Sequence, residues 1–244
     1  MTLTAPVPSL ASLKAASGLR VTVCIPARDE AVTVAAVVAP VASALDQLVD
    51  ELIVVDDCST DGTGPIAEAF GARVVRRDAG PGKGAAMAAG LAASTGDIVV
   101  FLDADVRNFG VHYVPRLVEP LVADPSLVLV KGTYQRPGGA GGGRVTELLA
   151  RPLLRRLFPE LAFVRQPLAG EVAVRRHALE GLVLEPGYGV EVGMLIDVAR
   201  RFGPSAIAQA DLGARLHRNR PLAELAGQAD EVLAAVLTRT PCDG

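Results

Sequence analysis

Four short runs rich in β-branched residues, Arg20–Ile25, Glu51–Val55, Ala72–Arg76 and Ile98–Leu102, punctuate the first half of the chain. The stretches between them, Glu30–Leu48, Gly64–Phe70 and Gly84–Ala93, are rich in Ala and free of strand-like alternation, and they read as helices. Strand, helix, strand at this spacing gives βαβ units, which require a mostly parallel sheet joined by right-handed crossovers. The expected fold is α/β, with a doubly wound, Rossmann-like half over about residues 19–105. Pro26 is expected to stop the first strand.

The second half departs from that rhythm. Residues His112–Val122 read as a helix and Leu127–Tyr134 as a strand, followed by the glycine-rich RPGGAGGGR and an arginine-studded helix over Val145–Phe158. In Glu191–Phe202 the residues Met194, Leu195, Val198 and Phe202 recur at helical spacing, and Gly203-Pro204 is a helix stop.

Composition excludes several classes. A formal charge of −3 leaves no cationic surplus for general nucleic-acid binding. The longest apolar run, Ile98–Leu102, is far short of the roughly 20 residues a membrane span needs. The N-terminus has neither a charged n-region nor a continuous apolar h-region, so it reads as a flexible leader rather than a signal peptide. Cys24, Cys58 and Cys242 form no CxxC pair, which points to reduced thiols and a cytoplasmic setting.

In open parallel sheets ligands bind beyond the carboxyl ends of the strands, and polar residues collect there. Pro26-Ala27-Arg28-Asp29-Glu30 follows the first strand, DDCSTDGT (56–63) the second, and Asp103-Ala104-Asp105 the fourth. An Asp after a strand is also a common helix cap. Three polar clusters on one sheet edge are better explained by a shared ligand. A divalent Mg²⁺ or Mn²⁺ prefers oxygen donors, commonly one or two carboxylates plus substrate phosphates. Asp103 and Asp105 have the spacing to put one carboxylate on a metal and the other on a sugar or ribose.

Glycine-rich loops occur twice. Gly80-Pro81-Gly82-Lys83-Gly84 opens a helix, where Lys83 can meet a phosphate or a sugar hydroxyl. It matches neither GxxxxGK[ST] nor the dinucleotide fingerprint. Gly141-Gly142-Gly143-Arg144-Val145-Thr146 also precedes a helix, so backbone N–H groups, the helix dipole and a guanidinium converge on a site for an anionic acceptor. Of the histidines, His112 and His177 fit surface positions, while His217 in ARLHRNRPL is a possible ligand.

IPARDE, ELIVVDDCSTDGT and GPGKGAAMAAGLAASTGDIVVFLDADV resemble the donor half of GT-A glycosyltransferases. VKGTYQRP, GGGRVTELLARPLL, QPLAGE, PGYGVEVGMLID and AIAQADLGARLHRNRPL narrow the resemblance to the glucosyl-3-phosphoglycerate synthase family, over about residues 20–225. Ala104 stands where a Ser is common in that family.

The resemblance implies a retaining GT-A enzyme that moves glucose from UDP- or GDP-glucose to the 2-hydroxyl of 3-phosphoglycerate, with Mg²⁺ or Mn²⁺. Its nucleotide-sugar site maps onto Pro26, Ala27, Arg28, Glu30, Asp57, Lys83, Asp103 and Ala104, and its metal onto Asp105 and His217. Glu191, Asp103, Lys83 and the backbone around Leu168 take the reacting sugar. Gly143, Arg144, Thr146, Tyr188 and Asn219 take the acceptor. The implied division is a leader over 1–18, a nucleotide-sugar half over 19–105, an acceptor half over 106–225, and a C-terminal helix and tail over 226–244, all within one GT-A domain. A cytoplasmic homodimer is implied, without nucleic-acid or membrane partners.

Two rivals differ in sequence. An inverting GT-A enzyme on a lipid-linked or polymeric acceptor usually carries a membrane segment or a later catalytic Asp motif. A nucleotidyltransferase-like protein places a G-x-G-T-R-like signature after the first strand, where this chain has PARDE.

Overall fold

A computed structural model describes residues 14–15, 17–45, 47–135, 143–216 and 222–240. In chain order the main elements are β1 (Val21–Ala27), α1 (Val34–Ala42), β2 (Glu51–Asp57), α2 (Thr63–Ala69), β3 (Arg73–Arg77), α3 (Lys83–Ala93), β4 (Ile98–Phe101), α4 (Tyr113–Ala123), β5 (Leu129–Gln135), α5 (Arg151–Leu157), β6 (Val172–Arg175), α6 (Val190–Phe202), β7 (Ile207–Ala214) and α7 (Leu222–Leu237).

The strands form one seven-stranded sheet in the order β3-β2-β1-β4-β6-β5-β7. Strand β6 runs antiparallel to both neighbours, β4 and β5, and every other pairing is parallel. The expected doubly wound half is therefore present, and the second half of the chain extends the same sheet.

Near-continuous apolar strands are what a sheet covered on both faces demands. Val23 and Ile25 of β1, Val54 of β2 and Val100 of β4 face one core with Val37 of α1 and Leu117 of α4. Cys24, Ile53, Val55, Val99 and Phe101 face the other core, with Met87 of α3 and Met194 and Leu195 of α6. Because β1, β2 and β4 are parallel, their polar C-terminal extensions emerge on one edge.

Several expectations need correction. Pro26 does not end β1. It lies opposite Val55 on the parallel neighbour, and the strand runs on through Ala27. The helix expected over Glu30–Leu48 is only Val34–Ala42. Residues 30–33 form a turn, with Thr33 N donating to Glu30 O at 2.9 Å. The arginine-rich helix opens with a π-helical stretch, Thr146–Ala150, before α5. Pro152 lacks an N–H and its ring crowds the preceding turn, so a widened turn before it is physically reasonable. Strand β6 went unanticipated, because Val172-Ala173-Val174 between Glu171 and Arg175 is too short to show a period.

Candidate active site

The loops beyond β1 and β2 lock together. Asp29 and Cys58 both take positive φ, 52° and 63°. The Asp29 carboxylate accepts from Thr60 N at 2.9 Å, and Glu30 N donates to Thr63 Oγ1 at 2.8 Å. Asp57 accepts from the Arg77 guanidinium and from Gly82 N, the latter at 2.7 Å. One carboxylate thus ties the end of β2 to the loop that opens α3.

A cleft of about 680 Å³ lies along this edge, and Pro26, Ala27, Arg28, Glu30 and Asp57 are among the residues that line it. Several of its lining residues form a network of paired charges. Lys83, the first residue of α3, places Nζ 2.8 Å from Asp103 Oδ1 and 2.5 Å from Glu191 Oε1. Burial works against the Lys83 charge, but Asp103 and Glu191 outweigh it and hold the ammonium well above its usual range. Burial likewise opposes the Asp103 charge, and Lys83 with Arg215 holds that carboxyl well below the usual carboxylate range. Both stay ionised across the physiological range.

Arg215, just after β7, links the remaining acids. Its Nη2 lies 2.7 Å from Asp103 and 3.2 Å from Asp105. Its Nη1 donates to the Tyr134 hydroxyl at 2.9 Å and to the fully buried Glu171 at 3.1 Å. The guanidinium also stacks 4.9 Å from the Tyr134 ring centroid. Burial pushes the Glu171 carboxyl up, against the pull of Arg215. Ala104 is buried between the two aspartates and packs into the core on its side of the sheet.

The cleft is also lined by Gly143, Arg144 and Thr146 from the start of the arginine-rich helix, with Leu168 and Tyr188. Gln228, Glu231 and Val232 of α7 also border the cleft. Glu231 accepts from Tyr188 N at 2.5 Å, fixing the turn that leads into α6 and Glu191. The N-terminus of α3 butts against the same turn, with Ala85 N donating to Pro186 O at 2.9 Å. His112 and His177 are exposed, as expected.

All expected site residues that are described therefore border one cleft. His217 and Asn219 lie outside the described residues. Sequence reasoning missed Arg215, Glu171 and Glu231. Arg215 gave a weak signal at most, since an Arg closing a strand is ordinarily solvated. Glu171 stands in the QPLAGE string, but nothing local marks it as buried.

The donor set suits a hard divalent cation. Asp105 presents a carboxylate at the cleft, and its Oδ2 has no hydrogen bond among the described residues. Those residues contain no ready-made cluster of three or more ligating side chains. A cation here would draw further donors from a bound diphosphate.

Comparisons with known proteins show the family. The profile of glycosyl transferase family 2 matches residues 22–179. Glucosyl-3-phosphoglycerate synthase of Mycolicibacterium paratuberculosis is 48% identical over 95% of this chain and 76% of its own length. The crystal structure of glucosyl-3-phosphoglycerate synthase from Mycobacterium tuberculosis with Mn²⁺, UDP-glucose and phosphoglyceric acid superposes with a TM-score of 0.91 at 47% identity, covering 100% of this chain and 88% of that one. The structure of that enzyme with Mg²⁺ and UDP gives a TM-score of 0.89 at 46% identity, with the same coverage. This chain belongs to glycosyl transferase family 2 and, within it, to the glucosyl-3-phosphoglycerate synthases.

Proposed function

We propose that the chain transfers glucose from UDP-glucose to the 2-hydroxyl of 3-phosphoglycerate, with retention at the anomeric carbon and with Mg²⁺ or Mn²⁺. The observation that carries the reading is that two chemistries border one cleft. One is the paired Lys83, Asp103 and Glu191 with Asp105, and the other is Arg144 beside a helix start.

In this reading Pro26, Ala27, Arg28, Glu30 and Asp57 seat the nucleotide. Asp103 and Lys83 meet the ribose and sugar, and Glu191 with the Leu168 backbone orients the glucose. Asp105 and His217 would hold the cation, which neutralises charge on the departing diphosphate. Gly143, Arg144, Thr146, Tyr188 and Asn219 take the acceptor, whose phosphate satisfies the guanidinium fork. Residues 19–105 serve the donor and 106–225 the acceptor.

Lys83 and Asp103 are fixed in their charged forms, so neither suits a proton-transfer role. Their work is orientation and charge. The proton of the attacking hydroxyl then passes to the leaving diphosphate oxygen as the C1–O bond to phosphate breaks and the bond to the acceptor oxygen forms on the same face. The setting we infer is a cytoplasmic homodimer without nucleic-acid or membrane partners. Among the described residues no helix is long and apolar enough to cross a membrane.

The test is nucleoside diphosphate release from UDP-glucose and GDP-glucose in Mg²⁺, with and without 3-phosphoglycerate. Release that depends on 3-phosphoglycerate supports the reading. Release that is indifferent to the acceptor, or absent, overturns it.

A further inference from the structure

Lys131 lies in the middle of β5, opposite Val172 of β6 on one side and Gln209 of β7 on the other, and it is 0% exposed. A lysine ammonium carries three donors, and burying one is costly unless it is well paired. Among the described residues Nζ makes one hydrogen bond, to the Ala169 carbonyl at 2.6 Å. Burial pushes the ammonium down to about 8, despite the attraction of Glu191, Glu171 and Asp103. A single hydrogen bond in such a place is a poor stabiliser, and an apolar side chain of similar length commonly does as well or better there. The residue therefore invites a reason other than stability.

That reason lies in what the carbonyl belongs to. Ala169 sits between Leu168, which borders the cleft, and Gly170, which packs against the Asp103 carboxylate so closely that a Cβ would overlap it. The segment is held at several points, the Arg215–Glu171 ion pair among them. Ala169 N donates to Gln166 O at 3.1 Å, Gly132 N donates to Glu171 O at 2.8 Å, and Lys131 holds the Ala169 carbonyl from below. Of the contacts to the segment's main-chain carbonyls, the lysine's comes from a side chain and can be removed by substitution.

We propose that Lys131 is a positioning residue for glucosyl transfer: from beneath the sheet edge its ammonium fixes the Leu168–Glu171 segment, and through it the places of Leu168 and Asp103 against the donor sugar. Lys131 itself does not line the cleft. The inference rests on the glycosyltransferase reading above.

The experiment compares wild type with Lys131→Met and Lys131→Gln, measuring melting temperature, UDP affinity by calorimetry, and kcat and KM for both substrates. In Lys131→Met the melting temperature is expected to hold or rise. The acceptor KM stays within about twofold, UDP affinity falls by less than kcat, and kcat falls about tenfold or more, as expected when a reacting group is misplaced. Lys131→Gln, which keeps one donor, recovers part of the loss. Unchanged kcat in Lys131→Met overturns the inference. So does a lower melting temperature or loss of fold in both variants, since the ammonium would then serve stability. So does an equal loss of UDP affinity, which would signal general distortion. If wild type itself fails to transfer glucose, the functional reading falls; if wild type transfers and Lys131→Met does so equally, only the role of Lys131 falls.

Discussion

Gly170 packs directly against Asp103, leaving no room for even a methyl group between them. The close approach keeps the Asp103 carboxylate turned toward Lys83 and Arg215, at 2.8 Å and 2.7 Å. Gly170→Ala must push that carboxylate aside. A misplacement of about 1 Å near the reacting bond costs on the order of 100-fold in rate, so kcat/KM should fall by about that factor. Steady-state kinetics beside a thermal melt checks this, and a fully active Gly170→Ala would show that Asp103 is free to move.

Lys83 neutralises Glu191, which is only 3% exposed, as well as Asp103. Lys83→Met leaves a buried carboxylate without its counter-ion, and breaking such a pair costs about 3–5 kcal/mol. Urea denaturation should show a loss of that order together with loss of transfer. A stability within about 0.5 kcal/mol of wild type, the scale of an ordinary surface substitution, would mean that the pair is not formed in solution.

Asp105→Ala should remove the Mn²⁺- or Mg²⁺-dependent thermal stabilisation by UDP and abolish turnover while the fold survives. EDTA should silence wild type in the same way, and added Mg²⁺ should restore it. Full activity in EDTA would contradict the assignment of Asp105 to a metal.

Arg144 borders the cleft. Arg144→Ala should raise the KM for 3-phosphoglycerate strongly, and Arg144→Lys should recover part of it, because a point charge cannot reproduce the guanidinium fork. The donor KM should stay nearly constant. If the donor KM moves instead, Arg144 belongs to the nucleotide site.

Lys131 also gives a pH signature. Its proton affinity falls from the ordinary value of 10.5 to about 8 in the folded protein. Between those values the unfolded chain binds more protons, so this residue makes stability rise with pH, and its full cost is present below about 8. The melting temperature of Lys131→Met relative to wild type should be highest at neutral pH and should fall toward parity as pH approaches 10. The groups facing Lys131 electrostatically are Glu191, Lys83, Glu171 and Asp103, so the comparison is made between these two proteins rather than on wild type alone. A pH-independent difference would contradict the assignment.

The first half of the sheet was legible because its signals are local. The Val/Ile runs before Asp57 and Asp103 announce strands, and parallel order puts their ends on one edge. Lys83 and Glu191 could be chosen from their motifs, yet their pairing joins residues that the sequence separates widely. Arg215, Glu171 and Lys131 were out of reach for a related reason. A charged residue in or beside a strand reads as solvated unless tertiary packing buries it, and these three are buried in the folded chain. Pro26 misled because its missing N–H forbids a ladder bond at one position without forbidding the strand, and β1 continues past it beside β2.

The most direct measurement is the product itself. Wild type incubated with UDP-glucose, 3-phosphoglycerate and Mg²⁺ should yield UDP and a single glycoside in equal amounts. Proton NMR of that glycoside should show the small anomeric coupling of an α-linkage, with glucose on the 2-oxygen of the glycerate. A β-linked product with a large anomeric coupling, or UDP release without any glycoside, would contradict the account.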